Sequence, residues 1–586
     1  MTTRAYPETT GQQVERGWRF GWVDALVILA VFALLWLVIA LGGDMRVQFD
    51  ELHAPSLSLD LDRIPYYTAR TVLRMFIAFG AALLFTFAYG YIAAKSRRAR
   101  KVMLPLLDIL QSVPVLGFLS ITVTGFLSLF PGNLLGVECA SIFAIFTAQA
   151  WNMTFGFYHS LVTIPGELQE AASIYKLNRW QRFTRLELPS SAIGLMWNSM
   201  MSFGGGWFFV AQSEAISVLN KNIKLPGLGS YMAAAVEAGD TRAAMCAIAA
   251  MIVSIIVIDQ LLWRPLVAWA EKFKLEQTEG KDAPTSWVLD LLQRSYVLVW
   301  LSDHVGAVLG RFSERTSTLT EDLTQTLTGR TPAPVKTLLR YAMWGLTAAI
   351  FVWLVIDAIG IAKEIKTDMT GAEMLRVVWL GMLTLLRVAA MTVLATLIWT
   401  PIGVWIGLRP RVARVAQPLA QIAASFPVNM TFPFMVAFFI SAHIPINAGS
   451  VLLMALGTQW YILFNVIAGA MAIPTDLREA AALFGLRKWR LWKTLIIPAI
   501  FPFWVTGALT ATGGAWNASI VAEVASWGQE KLVADGLGAY IAQVTQKGDQ
   551  PAIYFSIMVM AAFVVVINRV FWRRLYDLAE RKFRLD

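Results

Sequence analysis

From Ala25 to Gly43 the chain carries no charged side chain, a stretch long enough to cross the hydrocarbon core of a bilayer by itself. Comparable apolar stretches recur along the whole sequence. Six are expected in each half, near 24–43, 70–94, 105–130, 138–163, 188–211 and 241–263, then near 341–361, 378–408, 416–441, 448–472, 496–518 and 551–571. Backbone N–H and C=O groups in lipid find no water, so each must be satisfied within the protein. No strand-length alternation is sustained, and the spans are therefore read as helices. The expected fold class is an all-α polytopic membrane protein of about twelve transmembrane helices.

Composition agrees and narrows the function classes. Hydrophobic residues make up 57% of the 586 and charged residues 15%, with a mean hydropathy of +0.58, which excludes a soluble enzyme. The first apolar run is too long for a cleavable signal peptide, and no small-residue cleavage site precedes Asp44. Cys139 and Cys246 fall in apolar runs and imply no disulfide framework. The formal charge of +10 fits basic cytoplasmic loops rather than a nucleic-acid partner. His53, His159, His304 and His443 are scattered without metal-ligand spacing. No Gly-x-x-x-x-Gly-Lys-Ser/Thr loop occurs, so neither ATP nor any other cofactor is expected on this chain.

A polar, basic segment occurs twice. Glu170-Ala171-Ala172 lies five residues after Pro165 and is closed by Leu188-Pro189. Glu479-Ala480-Ala481 lies five residues after Pro474 and is closed by Ile497-Pro498. Trp180 and Trp489 hold the same spacing of about 309 residues, the mark of an internal duplication. Thr71 to Arg74 recurs as Thr384 to Arg387, and Ser112-Val113-Pro114 as Ser425-Phe426-Pro427, both at about 313. Gly227-Leu228-Gly229 with Tyr231 recurs as Gly536-Leu537-Gly538 with Tyr540, at about 309. A four-residue length difference is therefore expected in the third or fourth span region. Domains are expected at 1–271 and 338–586, joined by a linker at 272–337. Within that linker, Trp287 to Phe312 reads as an interfacial amphipathic helix in preference to a soluble docking helix. An even number of spans per half makes the repeats parallel. Most Lys and Arg residues fall on one side, with both polar segments, the linker and both termini, which places that side in the cytoplasm.

The pattern Glu-Ala-Ala, Gly at the seventh position, then Leu/Ile-Pro resembles the EAA loop of ABC-type importer permeases. Glu479, Ala480, Ala481, Gly485 and Pro498 match it in full; the first copy (Glu170, Ala171, Ala172) has Lys176 in place of glycine. The resemblance implies two permease repeats fused in one chain, residing in the bacterial inner membrane. It also implies coupling of both loops to a cytoplasmic ATPase homodimer, which carries ATP and Mg. A periplasmic substrate-binding protein is a further partner of this family, and the fusion leaves its use here open. The Glu214 to Tyr231 and Glu523 to Tyr540 stretches resemble the nitrate/sulfonate/taurine/bicarbonate branch, implying import of a small anion.

The residues themselves support a docking role for the loops. Pro165 and Pro474 suit a first helical position, and Glu167 and Asp476 then sit in a first turn where the helix dipole favours them. Gly485 suits a left-handed bend, for which the first loop is expected either to strain Lys176 or to turn differently, with Asn178 supplying the bend. Candidates for the substrate path are polar or aromatic groups within spans: Gln149, Trp207, Gln212 and Glu214 in the first half, and Gln459, Trp516, Asn517 and Glu523 in the second. Helix-to-helix hydrogen bonding is the alternative role for each. A secondary transporter of two parallel six-helix halves and a scaffold that recruits a cytoplasmic partner are the competing functions.

Overall fold

The computed structural model of the chain describes residues 21–48, 57–273 apart from 113, 118 and 219–220, 286–298 with 300, 301 and 304, and 333–582 apart from 528 and 529. The first half runs α1 (Trp22–Asp44), α2 (Ile64–Lys95), α3 (Arg97–Ser112), α4 (Leu119–Leu129) and α5 (Leu135–Val162). The polar segment then forms α6 (Gly166–Ile174) and α7 (Arg179–Arg182), which lead into α8 (Leu188–Glu214). A short antiparallel hairpin, β1 (Ala215–Val218) with β2 (Lys221–Lys224), precedes α9 (Leu228–Ala238), α10 (Thr241–Ile258) and α11 (Arg264–Ala270). Within the linker, the expected helix at 287–312 is interrupted: α12 (Trp287–Gln293) ends in a turn at Arg294 and Ser295, and 299, 302–303 and 305–312 lie outside the described residues.

The second half repeats this order as α13 (Ala333–Asp368), α14 (Gly371–Gly407), α15 (Pro410–Ser425), α16 (Phe432–Ser441) and α17 (Ile446–Met471), then the loop helices α18 (Thr475–Leu483) and α19 (Lys488–Leu491). It closes with α20 (Ile497–Ala522), the hairpin β3 (Val524–Trp527) and β4 (Glu530–Val533), α21 (Leu537–Lys547), α22 (Gln550–Ile567) and α23 (Arg573–Lys582). Ten of the twelve expected spans fall on continuous helix, and the third of each half on an interrupted one. Among the described residues, seven helices are long and apolar enough to cross a membrane, and the bent pair α15–α16 makes an eighth.

The third span of each half is broken rather than straight. Pro427 follows Phe426, whose backbone is extended at ψ 129°, as the residue before a proline prefers. The chain turns 74° there before α16 resumes. These breaks are exchanged between the halves. Val115, Leu116 and Leu119 pack into the core of the second half, while Met430, with Ile422, Phe426 and Phe434, packs into that of the first. Two hydrogen bonds mark the exchange: Val115 N–H donates to Asn517 Oδ1 at 2.8 Å, and Asn429 Nδ2 donates to Gln212 Oε1 at 3.3 Å.

The four-residue length difference lies in the connection from α4 to α5. The loop itself is one residue longer in the first half (130–134 against 442–445), and the rest of the difference extends the adjoining ends of α4 and α5. This backbone is tied down: Leu134 N–H donates to Val47 C=O at 3.1 Å, beside a bridge between Gln48 and Asn133. Wide helical turns are duplicated as well, at Phe183–Glu187 and Trp492–Ile496, and at Asp259–Trp263 and Asn568–Trp572. The first pair immediately precedes Pro189 and Pro498. A proline ring collides with the carbonyl one turn back in a regular α-helix, and the wider turn relieves that collision.

Candidate functional site

Two regions at opposite ends of the spans carry the chemistry. At one end lie the polar loops. Pro165 and Pro474 cap α6 and α18 with extended backbone (ψ 140° and 143°), so they sit just before the first helical position, not in it. Glu167 and Asp476 fall in the first turns as expected. Both loops then make the same bend: Leu177 N–H donates to Ala172 C=O, and Leu486 N–H to Ala481 C=O. Gly485 takes φ +64° there and Lys176 takes φ +51°. Lys176 therefore accepts the left-handed conformation, at about 1 kcal/mol. Asn178 is engaged elsewhere, since its side chain accepts the Gln181 N–H at 2.8 Å and caps α7. Arg487 stands at the matching cap without a side-chain bond, and Lys488 beside it is driven to φ +49°. Each loop therefore holds one non-glycine residue in left-handed backbone.

The loops are seated by different chemistry. Glu187 is buried, accepts from Lys95, and forms an ion pair with Arg182, whose Nε lies 3.3 Å from the carboxylate. Arg182 also donates to Gln169 Oε1 at 3.1 Å. The residues matching Lys95, Arg182 and Glu187 are Leu408, Leu491 and Ile496, which join the apolar core instead. Ala172 and Ala481 are buried against their own chain, while Glu170 and Glu479 are exposed and Ala171 and Ala480 half-buried. The tips are apolar and open to solvent: Ile174 and Tyr175 are 78% and 79% exposed, Leu483 and Phe484 89% and 83%. Sequence reasoning passed over these four because they stand outside the motif, although paired bulky apolar residues between charged ones are a readable signal.

At the other end, Glu214 and Glu523 organise a buried polar cluster in each half. Glu214 Oε1 accepts from Thr71 Oγ1 at 2.6 Å and from Arg74 at 2.7 Å, and its Oε2 accepts the Gly229 N–H at 2.7 Å. Glu523 repeats this with Thr384 (2.8 Å), Arg387 (3.0 Å) and the Ala539 N–H (3.1 Å). The glycines of the Gly-Leu-Gly motif are needed for this approach. A Cβ on Gly227 would meet the Glu214 carboxyl carbon at 2.3 Å, and one on Gly229 the Ala211 carbonyl oxygen at 2.2 Å. Gly536 and Gly538 stand against Glu523 and Ser519 in the same way. Tyr231 donates to Leu59 C=O at 2.8 Å, and Tyr540 to Glu373 at 3.0 Å; burial, with Glu373 beside it, pushes the Tyr540 hydroxyl above its ordinary pKa.

The clusters then diverge. In the first half Glu138 accepts from Arg74 Nε at 2.5 Å and also from Arg70. At the matching positions the second half has Asn447 and Leu383. Arg387 donates to Asn447 Oδ1 at 2.7 Å, and Asn447 in turn holds the Asp535 N–H at 2.9 Å. Counted over their buried groups, both clusters are formally neutral, two positive and two negative groups against one of each; in the second, the exposed Asp535 carboxylate also accepts from Asn447 Nδ2 at 3.2 Å.

Comparison with known proteins decides the family. The model of the binding-protein-dependent transport system inner membrane component matches twice, over residues 86–262 and 399–585, once in each repeat. The chain belongs to this family. Similar proteins include the nitrate import permease protein of Leptolyngbya laminosa, 22% identical over 190 residues (32% of this chain, 64% of the relative). The bicarbonate transport system permease protein of Synechococcus elongatus is 24% identical over 191 residues (33% and 66%), and that of Synechocystis 23% over 248 (38% and 81%). The chain thus spans about two thirds of the length of the first of these relatives.

Between the two permease repeats, at the hairpin end, lies a cavity of about 480 Å³. Of the candidates for the substrate path, Gln212 lines it; Glu214, Glu523, Gln149, Trp207, Gln459, Trp516 and Asn517 do not. Glu214 and Glu523 sit behind its wall, where they bind the hairpin-end helices together. Trp207 and Trp516 are buried, and Asn517 receives the Val115 N–H at the exchanged break. Gln149 and Gln459 are not equivalents: the 309 offset puts Thr458 opposite Gln149. Gln459 accepts from Trp399 Nε1 at 2.8 Å, whereas the amide of Gln149 is buried with no hydrogen-bond partner among the described residues.

Proposed function

We propose that this chain is the membrane permease subunit of an ATP-driven importer for a small anion of the nitrate, bicarbonate or sulfonate type. A separate ATPase homodimer, holding ATP and Mg, docks on the loops at Glu170–Lys176 and Glu479–Gly485. The observation that carries the reading is the pair of matched loop tips. Each presents two bulky apolar side chains to solvent on a rigid helix end, beside exposed acidic and basic groups. Bulky apolar pairs exposed at matched positions beside charged groups are the kind of patch that a partner surface covers. Glu170 and Glu479 offer charge-assisted hydrogen bonds to that partner. The basic asymmetry supports a cytoplasmic position for the loops and both termini, with the cavity on the opposite face, where a binding protein delivers the anion.

Co-purification with a nucleotide-binding subunit tests the coupling. The chain alone is expected to hydrolyse no ATP, and the complex to hydrolyse it. Tyr175→Ser with Phe484→Ser is expected to reduce recovered ATPase at least tenfold. Hydrolysis by the isolated chain, or uptake driven by an ion gradient without any ATPase, overturns the reading.

A further inference from the structure

The cavity at the hairpin end is not symmetric, and its asymmetry lies in charge. Three described ionic side chains line it: Lys224, Lys531 and Glu237. Lys224 and Glu237, both from the first repeat, form an ion pair with Nζ 2.5 Å from the carboxylate. Lys531 comes from β4 of the second repeat, and its near neighbour is the neutral Gln546, at 3.5 Å. Glu237 and Gln546 are the same position in the two repeats. The two lysines are not equivalent positions, since Lys224 matches Val533 and Lys531 matches Asn222, but both reach the same helix position, a carboxylate in the first repeat and an amide in the second. Among the described residues, the Lys531 ammonium is left without a carboxylate partner on the cavity wall.

Neutral polar side chains of the second repeat share the cavity with that ammonium: Ser526, paired with Lys531 across the hairpin, and Gln543, Thr545 and Gln546 of α21 all line it. The duplication offset matches Gln543, Thr545 and Gln546 to Ala234, Val236 and Glu237, so α9 offers no equivalent set. Thr545 Oγ1 is buried with no hydrogen-bond partner among the described residues, so its O–H has no acceptor there. Gln546 uses its carbonyl oxygen toward Lys531, and its amide nitrogen is a donor. A positive charge sharing one cleft with hydroxyl and amide donors favours a small anion with oxygen acceptors.

We infer that Lys531, with Ser526, Gln543, Thr545 and Gln546, forms a single binding site for a monovalent oxyanion, contributed by the second repeat alone. The inference rests on the proposed reading of the cavity as the solute path. Its test uses the full chain in lipid nanodiscs with no ATPase present, so it succeeds or fails separately from coupling. Sodium nitrate, sodium bicarbonate and sodium methanesulfonate are titrated calorimetrically. The parent chain is expected to bind at least one of them. Lys531→Gln is expected to weaken that binding tenfold or more. Gln546→Glu, which gives Lys531 the partner that Lys224 has, is expected to weaken it as much, and this exposed substitution keeps the test decisive if Lys531→Gln misfolds. Lys224→Gln with Glu237→Gln removes a neutral pair and is expected to change affinity less than threefold. Failure of the parent to bind all three anions overturns the inference. So does a loss below threefold in Gln546→Glu, or a loss in the first-repeat pair variant as large as that in Gln546→Glu.

Discussion

Arg74 and Arg387 occupy the same place in the two repeats but answer to different partners. Arg74 shares Glu138 with Arg70, while Arg387 takes a neutral oxygen from Asn447. Removing one member of a buried ion pair leaves a bare charge in a low-dielectric interior, at about 3–5 kcal/mol. Removing both members of a pair leaves no such charge. Glu138→Asn alone is therefore expected to destabilise the chain by about that amount. Adding Arg70→Leu converts the first cluster into the arrangement of the second, and is expected to recover most of the loss. Thermal unfolding of the two single variants and the double variant in detergent measures the coupling. Additive losses would show that the clusters do not behave as interchangeable neutral units.

At the scale of elements, the loops form the same bend but are held to the body differently, by ion pairs at Glu187 and by Leu408, Leu491 and Ile496 in the core. Salt screens partly exposed ion pairs and strengthens apolar contact. Glu187→Gln is thus expected to raise amide exchange in α6 and α7 by about tenfold while leaving α18 and α19 unchanged. Raising the salt concentration on the parent chain should act in the same direction, and equal effects on both loops would refute the distinction. The loops were legible in the sequence because their signal is local: motif, caps and bend lie within some twenty residues. The same holds for the apolar spans. The hairpins were not legible, since Ala215–Val218 and Val524–Trp527 are too short to show alternation. Nor was the Arg70–Glu138 pair, whose members are separated by most of two spans. The bend at Lys176 was half legible: the position was marked, but whether the backbone would strain or reroute depended on Asn178 being engaged as a cap.

For the whole molecule, the exchanged third spans make each repeat part of the other's core, and the hairpin-end contact between Asn429 and Gln212 sits on the cavity wall. Conformational cycling that opens this cavity has to separate that contact. With Cys139 and Cys246 replaced by Ser, a Gln212→Cys, Asn429→Cys chain is expected to cross-link under oxidation and to lose at least nine tenths of its anion uptake. Reduction should restore uptake, and ATPase co-purification should remain. Uptake that persists at full cross-linking would show that the two repeats do not part at this point.

The neutral swap between the two clusters also bears on how such a chain diverges. Where a permease is assembled from two identical subunits, every substitution is made twice, and a charge that suits one side is imposed on the other. Here a single gene encodes both sides separately. Arg70 and Glu138 can be present on one side and absent from the other, a state that identical subunits never reach. Fusion therefore frees each side to be selected on its own, one toward rigidity and the other toward recognition.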